Sequence, residues 1–293
     1  MNKEQALQDY IRNLKSVAVA FSGGLDSTFL LQVALDTLDR EHVVAVIATS
    51  CFVSERETKE AVAFCRDREI PYEVVEINPL GIRGMEHNPA NRCYLCKKML
   101  CQQFLEVAKV RGMQAVAEGS NVDDEGDYRP GMQAVTEMGL HSPLRATGWT
   151  KTEIREASRT LGLPTADKPA NACLATRFAY GDYISPERLQ MVDKAERLLE
   201  EIGVSQRRVR LHNLGTRSMA RIEVTPEDFG RISTPENAQY ISTQFQDLGF
   251  SYVTLDLGGF ESGNMNQTLH QSIDCEKNRG IIASGKQDRN RKG

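Results

Sequence analysis

Short apolar runs alternate with stretches of helical spacing through the first half of the chain. Residues 16–21 (SVAVAF) form a compact apolar run, and residues 27–38 then repeat apolar positions at helical spacing through Phe29, Leu30, Val33, Ala34 and Leu38. A second run at 43–48 (VVAVIA) precedes a helical pattern over 54–69, and a third strand is expected at 72–77. A helix over about 92–110 and a strand at 114–117 close the series. Strands that are apolar throughout and separated by helices predict a parallel, doubly wound α/β sheet covered on both faces.

The pattern then changes. A turn at Pro143 leads into a helix from Thr150, where Thr150 and Glu153 have the spacing of a capping box. Residues 164–187 (PTADKPANACLATRFAYGDYISPE) have no helical period and are studded with Pro and Gly, which reads as a junction between domains. Beyond it, helices are expected at 186–203 and 235–248, and strands at 207–212, 219–224 and 251–256, a smaller mixed α/β domain. The division expected is 1–170, 171–273, and a polar, Lys- and Arg-rich flexible tail at 274–293.

Composition narrows the function. The chain has 293 residues, enough for a large domain and a smaller one. Its formal net charge of -4 argues against a general nucleic-acid binder. No run of eighteen apolar residues occurs, and the start MNKEQALQDYIRN lacks the apolar core of a signal peptide, so a cytoplasmic protein without a membrane partner is expected. Seven cysteines, an odd number, do not read as a disulfide framework, so reduced thiols are expected.

The strongest chemical signal is Ser22-Gly23-Gly24-Leu25-Asp26-Ser27, set directly between the first strand and the first helix. Glycine amides and the open N–H groups of a helix start can together hold an anion, and Ser22 and Ser27 add hydroxyl donors. Asp26 in an anion site calls for a cation, so it is assigned to Mg²⁺ or to positioning the loop. The loop has no lysine, unlike GxxxxGK[ST]. It resembles the SGGxDS signature of the PP-loop ATP pyrophosphatases, whose fold is the adenine nucleotide alpha hydrolase-like sheet. That resemblance implies cleavage of ATP between the α and β phosphates. Glu118-Gly119-Ser120-Asn121-Val122-Asp123-Asp124 resembles a second stretch of the same site, with Asp123 a candidate for Mg²⁺, or else a polar loop. Ser50, ending the second strand, lies where such proteins seat adenine.

Cys93 and Cys96 form a CxxC at the start of a predicted helix, where Arg92, Lys97 and Lys98 would favour thiolate. The third obvious thiol is Cys173, in the junction. Cys51, Cys65, Cys101 and Cys275 read as small packed residues. Together SGGLDS, CYLCK, DYRPGMQA (127–134), the SPL…TKTEIR…LGLPTADKPANACLATRFAYG run and YVTLDLGGF…SGNMN resemble the LarE sulfur transferases over nearly the whole chain. The resemblance implies adenylation of a carboxylate of a pyridinium dicarboxylate mononucleotide, its conversion to a thiocarboxylate, a place in nickel-pincer nucleotide cofactor assembly, and a homo-oligomer. It offers two sulfur sources. One is a [4Fe-4S] cluster on Cys93, Cys96 and Cys173 that leaves one iron open for a labile sulfide; the other is sacrifice of Cys173 itself.

Basic residues near Cys173 would suit the substrate's anionic groups. Arg177 is four positions on, and Arg208 and Arg210 share one face of a predicted strand while Arg207 points away. The resemblance places phosphate-binding arginines here and a functional carboxylate at Glu196. On sequence alone the arginines also read as a solvated basic edge, and Glu196 as an exposed helix residue. Two other readings stay open: a PP-loop tRNA thiolase, which would need a broad basic surface, and a non-catalytic adenine-nucleotide-binding protein.

Overall fold

A computed structural model describes residues 2–124, 130–169 and 172–261. The expected tail at 274–293, Cys275, residues 127–129 of the DYRPGMQA stretch, the SGNMN segment, and Ala170 with Asn171 lie outside the described residues. The chain divides into two compact units, Met1–Met85 with Asn91–Leu174, and Glu86–Ala90 with Ala175–Gly293. The division therefore falls after Leu174, so Cys173 belongs with the first unit. The Leu174 N–H donates to the Phe52 carbonyl at 2.9 Å, which ties this stretch to the end of the second strand.

In chain order the first unit holds α1 (Lys3–Leu14), β1 (Val17–Ala20), α2 (Leu25–Thr37), β2 (Val43–Thr49), α3 (Glu55–Asp67), β3 (Tyr72–Glu76), α4 (Arg92–Val110) and β4 (Ala115–Ala117). It continues with α5 (Pro130–Glu137), α6 (Pro143–Ala146) and α7 (Lys151–Thr160). The four strands are parallel, in the order β3-β2-β1-β4. Val17, Val19, Val43, Ala45 and Ile47 face one core, with Phe29 and Trp149. Ala18, Val44, Val46 and Val116 face the other, with Cys101 and Phe104. Alternate residues thus enter opposite cores, which is why the strand sequences are apolar without interruption.

Four helices escaped the sequence pattern. α1 carries Leu7 and Ile11 one turn apart, both buried, in an otherwise polar segment. α5, α6 (expected as a turn at Pro143) and, in the second unit, the helix Pro226–Ile232 are short. The capping box is present: Thr150 accepts from the Glu153 N–H at 3.3 Å while Glu153 accepts from the Thr150 N–H at 2.9 Å.

The second unit holds α8 (Pro186–Glu201), β5 (Arg207–Leu214), β6 (Arg217–Val224), α9 (Pro226–Ile232), α10 (Pro235–Asp247) and β7 (Tyr252–Leu255). β5 and β6 are antiparallel, β6 and β7 parallel. Residues 86–90 join this unit because the buried Asn88 side chain donates to the carbonyls of Phe178 (3.0 Å) and Ala179 (2.7 Å). Nothing local in the sequence marks that excursion.

Candidate functional site

In the first unit, the strand order reverses at β1: the chain moves from β1 to β2 to β3 on one side and returns to β4 on the other. Ligands of open parallel sheets bind outside the strand ends at such a reversal. The 22–27 loop follows β1 and the 118–124 loop follows β4, so the two expected ATP segments flank that point.

The 22–27 loop is internally braced. The Ser27 hydroxyl accepts from the Ser22 N–H (3.3 Å), lies 3.1 Å from Ser22 Oγ, and donates to the Gly24 carbonyl (3.2 Å). Gly24 is the N-cap of α2 and offers no capping side chain, so the first amides of the helix are not closed off by one. Gly23 has φ +68°, and a Cβ there would lie 3.2 Å from Ala61 Cβ on α3. A Cβ on Gly119 would lie 3.0 Å from the Ser27 nitrogen, so the second loop packs on the first only because that residue is glycine.

Asp26 is half-buried, with Asn121 Nδ2 at 3.2 Å from Oδ1 and Lys151 Nζ at 3.9 Å from Oδ2. Burial pushes its carboxyl above the usual range; Lys151 and Asn121 pull it back, and the neighbouring Asp124 adds to the rise. A cation beside Asp26 would reverse that balance, as expected for a Mg²⁺-facing carboxylate. Asp123 is engaged differently: its Oδ2 accepts from the Lys151 N–H at 2.7 Å, at the start of α7. Ser50 Oγ accepts from the Phe52 N–H (3.1 Å) in the turn after β2.

Cys93 and Cys96 occupy the first turns of α4, and all three expected cluster thiols are partly exposed. They are neighbours: both Cys173 and Cys93 act on Cys96. The expected activation of this pair is overturned for Cys96. Burial pushes its thiol up to about 12, Cys173 and Cys93 add to that, and Lys97 and Arg92 only partly oppose it. Lys98 instead donates to the Tyr94 hydroxyl at 3.3 Å. Cys65 and Cys101 are fully buried in the two cores, as expected of packed residues. Cys51 is not: it is partly exposed and close enough to Cys173 to be raised by it, after burial. Among the described residues, no three His, Cys, Asp or Glu are arranged as ligands of a single metal ion.

In the second unit, the alternative readings, a solvated basic edge and an exposed helix carboxylate, are both overturned. Arg177, Arg208 and Arg210 are 2%, 6% and 4% exposed. Arg177 forms a two-point ion pair with Glu196, Nε to Oε1 at 2.7 Å and Nη2 to Oε2 at 2.8 Å. Glu196 Oε1 also accepts from the Val209 N–H at 2.9 Å. Burial pushes the Glu196 carboxyl up, but Arg177 and these hydrogen bonds prevail and hold it below the usual range. Arg210 donates through Nε (3.0 Å) and Nη2 (2.8 Å) to the fully buried Glu223, and through Nη1 to the Thr176 carbonyl (2.9 Å). Burial, then the like charge of Arg177, lowers Arg208 to about 10. A bound anion would relieve both effects. Arg207 turns away, donating to the Glu196 carbonyl at 2.6 Å.

The sequence reading missed Lys151, Lys168 and Glu223. Lys168 Nζ donates to the Gly23 carbonyl at 3.0 Å from 145 positions away. The only signal available was a lysine in the irregular 164–187 stretch. Glu223 sits opposite Arg208 in the β5–β6 register, a cross-strand charge pairing that becomes legible only once the hairpin is known.

A family model described as NAD synthase matches residues 2–125. An uncharacterized protein of Synechocystis is 39% identical, over 92% of this chain and 98% of its own length. The pyridinium-3,5-bisthiocarboxylic acid mononucleotide synthase of Lactiplantibacillus plantarum is 36% identical, over 91% of this chain and 95% of its own. An argininosuccinate synthase of Natronomonas pharaonis is 29% identical over 50% of this chain and 39% of its own.

Proposed function

The chain belongs to the LarE-type sulfur transferases, and on that premise we propose that it makes thiocarboxylates on pyridinium-3,5-dicarboxylate mononucleotide for nickel-pincer nucleotide assembly, with sulfur supplied through Cys93, Cys96 and Cys173. The observation that carries this reading is that the 22–27 loop, the 118–124 loop and all three cysteines lie in one compact unit.

Ser22, Gly23, Gly24 and Ser27 would hold the ATP phosphates through their amides and hydroxyls, Asp26 would hold Mg²⁺, and Ser50 would lie toward the adenine. A substrate carboxylate oxygen attacks the α-phosphorus; the Pα–O bond to the β-phosphate breaks and pyrophosphate leaves. The acyl-adenylate then has AMP as a leaving group, far better than oxide. Arg208 and Arg210 take the substrate's anionic groups, and Glu196 holds Arg177 in place beside them.

Three thiols within electrostatic reach of one another are the donor set that a cluster with one iron free of protein ligands would need. Once bound, a [4Fe-4S] cluster would supply an iron without a protein ligand, on which a transferable sulfide is carried. The three cysteines would hold it as thiolates, the form that iron favours over the raised thiol of Cys96. The enzyme works in the cytoplasm, as a homo-oligomer, on a small molecule rather than on RNA. No helix of the described residues is long and apolar enough to cross a membrane.

The test is anaerobic reconstitution of wild type and Cys93→Ala with iron and sulfide, followed by ATP and the mononucleotide. About four irons per chain, lost in the variant, with repeated AMP, pyrophosphate and thiocarboxylate formation, supports the cluster. No iron, with Cys173 lighter by one H₂S after a single turnover, assigns the sulfur to Cys173. Absence of AMP and pyrophosphate with every acceptor sinks the enzymatic reading.

A further inference from the structure

The phosphate loop carries no lysine of its own, yet one reaches it from a distant segment. Lys168 Nζ lies 3.0 Å from the Gly23 carbonyl and 2.9 Å from Glu60 Oε2, and its side chain is 22% exposed. Glu60 projects from α3, whose Ala61 closes on Gly23 in the same place. Glu60 also pairs with Arg56 at 3.4 Å.

We propose that Lys168 is the positioning cation of the nucleotide site: it fixes the Gly23–Gly24 peptide and supplies from the 164–169 segment the positive charge that the loop sequence lacks. A peptide is planar, with its C=O and N–H on opposite sides. Drawing the Gly23 carbonyl toward Lys168 therefore turns the Gly24 N–H the other way. In this structure that N–H donates to Ser22 Oγ, nitrogen to oxygen 3.3 Å. Left to itself, a glycine at φ +68° beside a second glycine would sample several peptide orientations. The lysine selects one of them. Its charge also offsets the phosphates gathered on the neighbouring amides, the task a P-loop assigns to a lysine within the loop. The inference rests on the loop being an ATP site.

Titration with MgATP, and with adenosine as a phosphate-free control, tests it on the full-length protein carrying Lys168→Met, Lys168→Arg or Glu60→Gln. Lys168→Met is expected to raise the Kd for MgATP at least about tenfold and that for adenosine less than about twofold, with Lys168→Arg recovering most of the loss. Glu60→Gln removes the lysine's counter-charge and leaves the lysine present, so it should bind MgATP at least as tightly as wild type. Were Lys168 only a staple between α3 and the loop, Glu60→Gln would weaken MgATP as much as Lys168→Met, and the proposal would be overturned. A Lys168→Met variant within twofold of wild type would overturn it too. If wild type fails to bind MgATP, the ATP-site reading fails first, an outcome distinct from either of these.

Discussion

Replacing Glu196 with Gln tests whether the buried ion pair of the second unit is structural as well as chemical. Glu196 accepts three hydrogen bonds, from Arg177 Nε (2.7 Å), Arg177 Nη2 (2.8 Å) and the Val209 N–H (2.9 Å). A glutamine oxygen in the Oε1 position keeps the first and third. Its amide nitrogen then meets Arg177 Nη2, donor against donor. One charge-assisted hydrogen bond is lost, about 1.5–3 kcal/mol, and a guanidinium only 2% exposed loses its counter-charge. Removing one partner of a buried pair costs about 3–5 kcal/mol, so we expect about 3 kcal/mol for the isosteric Gln and more for Ala. With a urea slope of about 1.5 kcal/mol per molar, the midpoint should fall by about 2 M.

Far-UV circular dichroism during urea titration reads this loss. The single tryptophan, Trp149, is packed in the first unit's core and reports on that unit separately by fluorescence. The folded Glu196 carboxyl lies below its ordinary range, so its stabilisation is present above that range and is lost as pH falls through the lowered value. The gap between wild type and Glu196→Gln should therefore close in acid. A circular-dichroism midpoint within about 0.3 M of wild type at neutral pH would refute the reasoning.

Three further outcomes follow from single sites. Gly23→Ala places a Cβ 3.2 Å from Ala61 at φ +68°, so MgATP binding by calorimetry should be lost and the unfolding free energy in urea titration should fall by about 1–2 kcal/mol. Thr150→Ala removes half of the α7 capping box and should lower stability by about 1 kcal/mol in urea titration followed by Trp149; no change would mean that the cap contributes nothing. In metal-free protein, Cys96 with its thiol pushed up to about 12 should alkylate at pH 8 far more slowly than a free thiol and accelerate steadily toward pH 11, as peptide mass mapping would show. Rapid labelling of Cys96 at pH 8 would contradict its burial.

The parts of this protein that were legible in its sequence are those decided within a few residues. Uninterrupted apolar runs at 43–48 and 16–21 specify strands buried on both faces, because neither face has polar positions to give to water. Thr150 and Glu153 mark a helix start because each side chain reaches the other's amide across one turn. The SGGLDS turn identifies itself by its glycines and its place between strand and helix. Tertiary structure alone decided what depends on solvent exclusion and on distant partners. It buried Arg208 and Arg210, which as letters equally describe a wet strand edge, and it paired Arg177 with Glu196. It raised the Cys96 thiol where basic neighbours had suggested the reverse, because burial and the neighbouring thiols outweigh Lys97 and Arg92. It also brought Lys168 to Gly23 across 145 positions. Local sequence sets backbone conformation, whereas the charge state and partners of a side chain are set by whatever the completed fold packs around it.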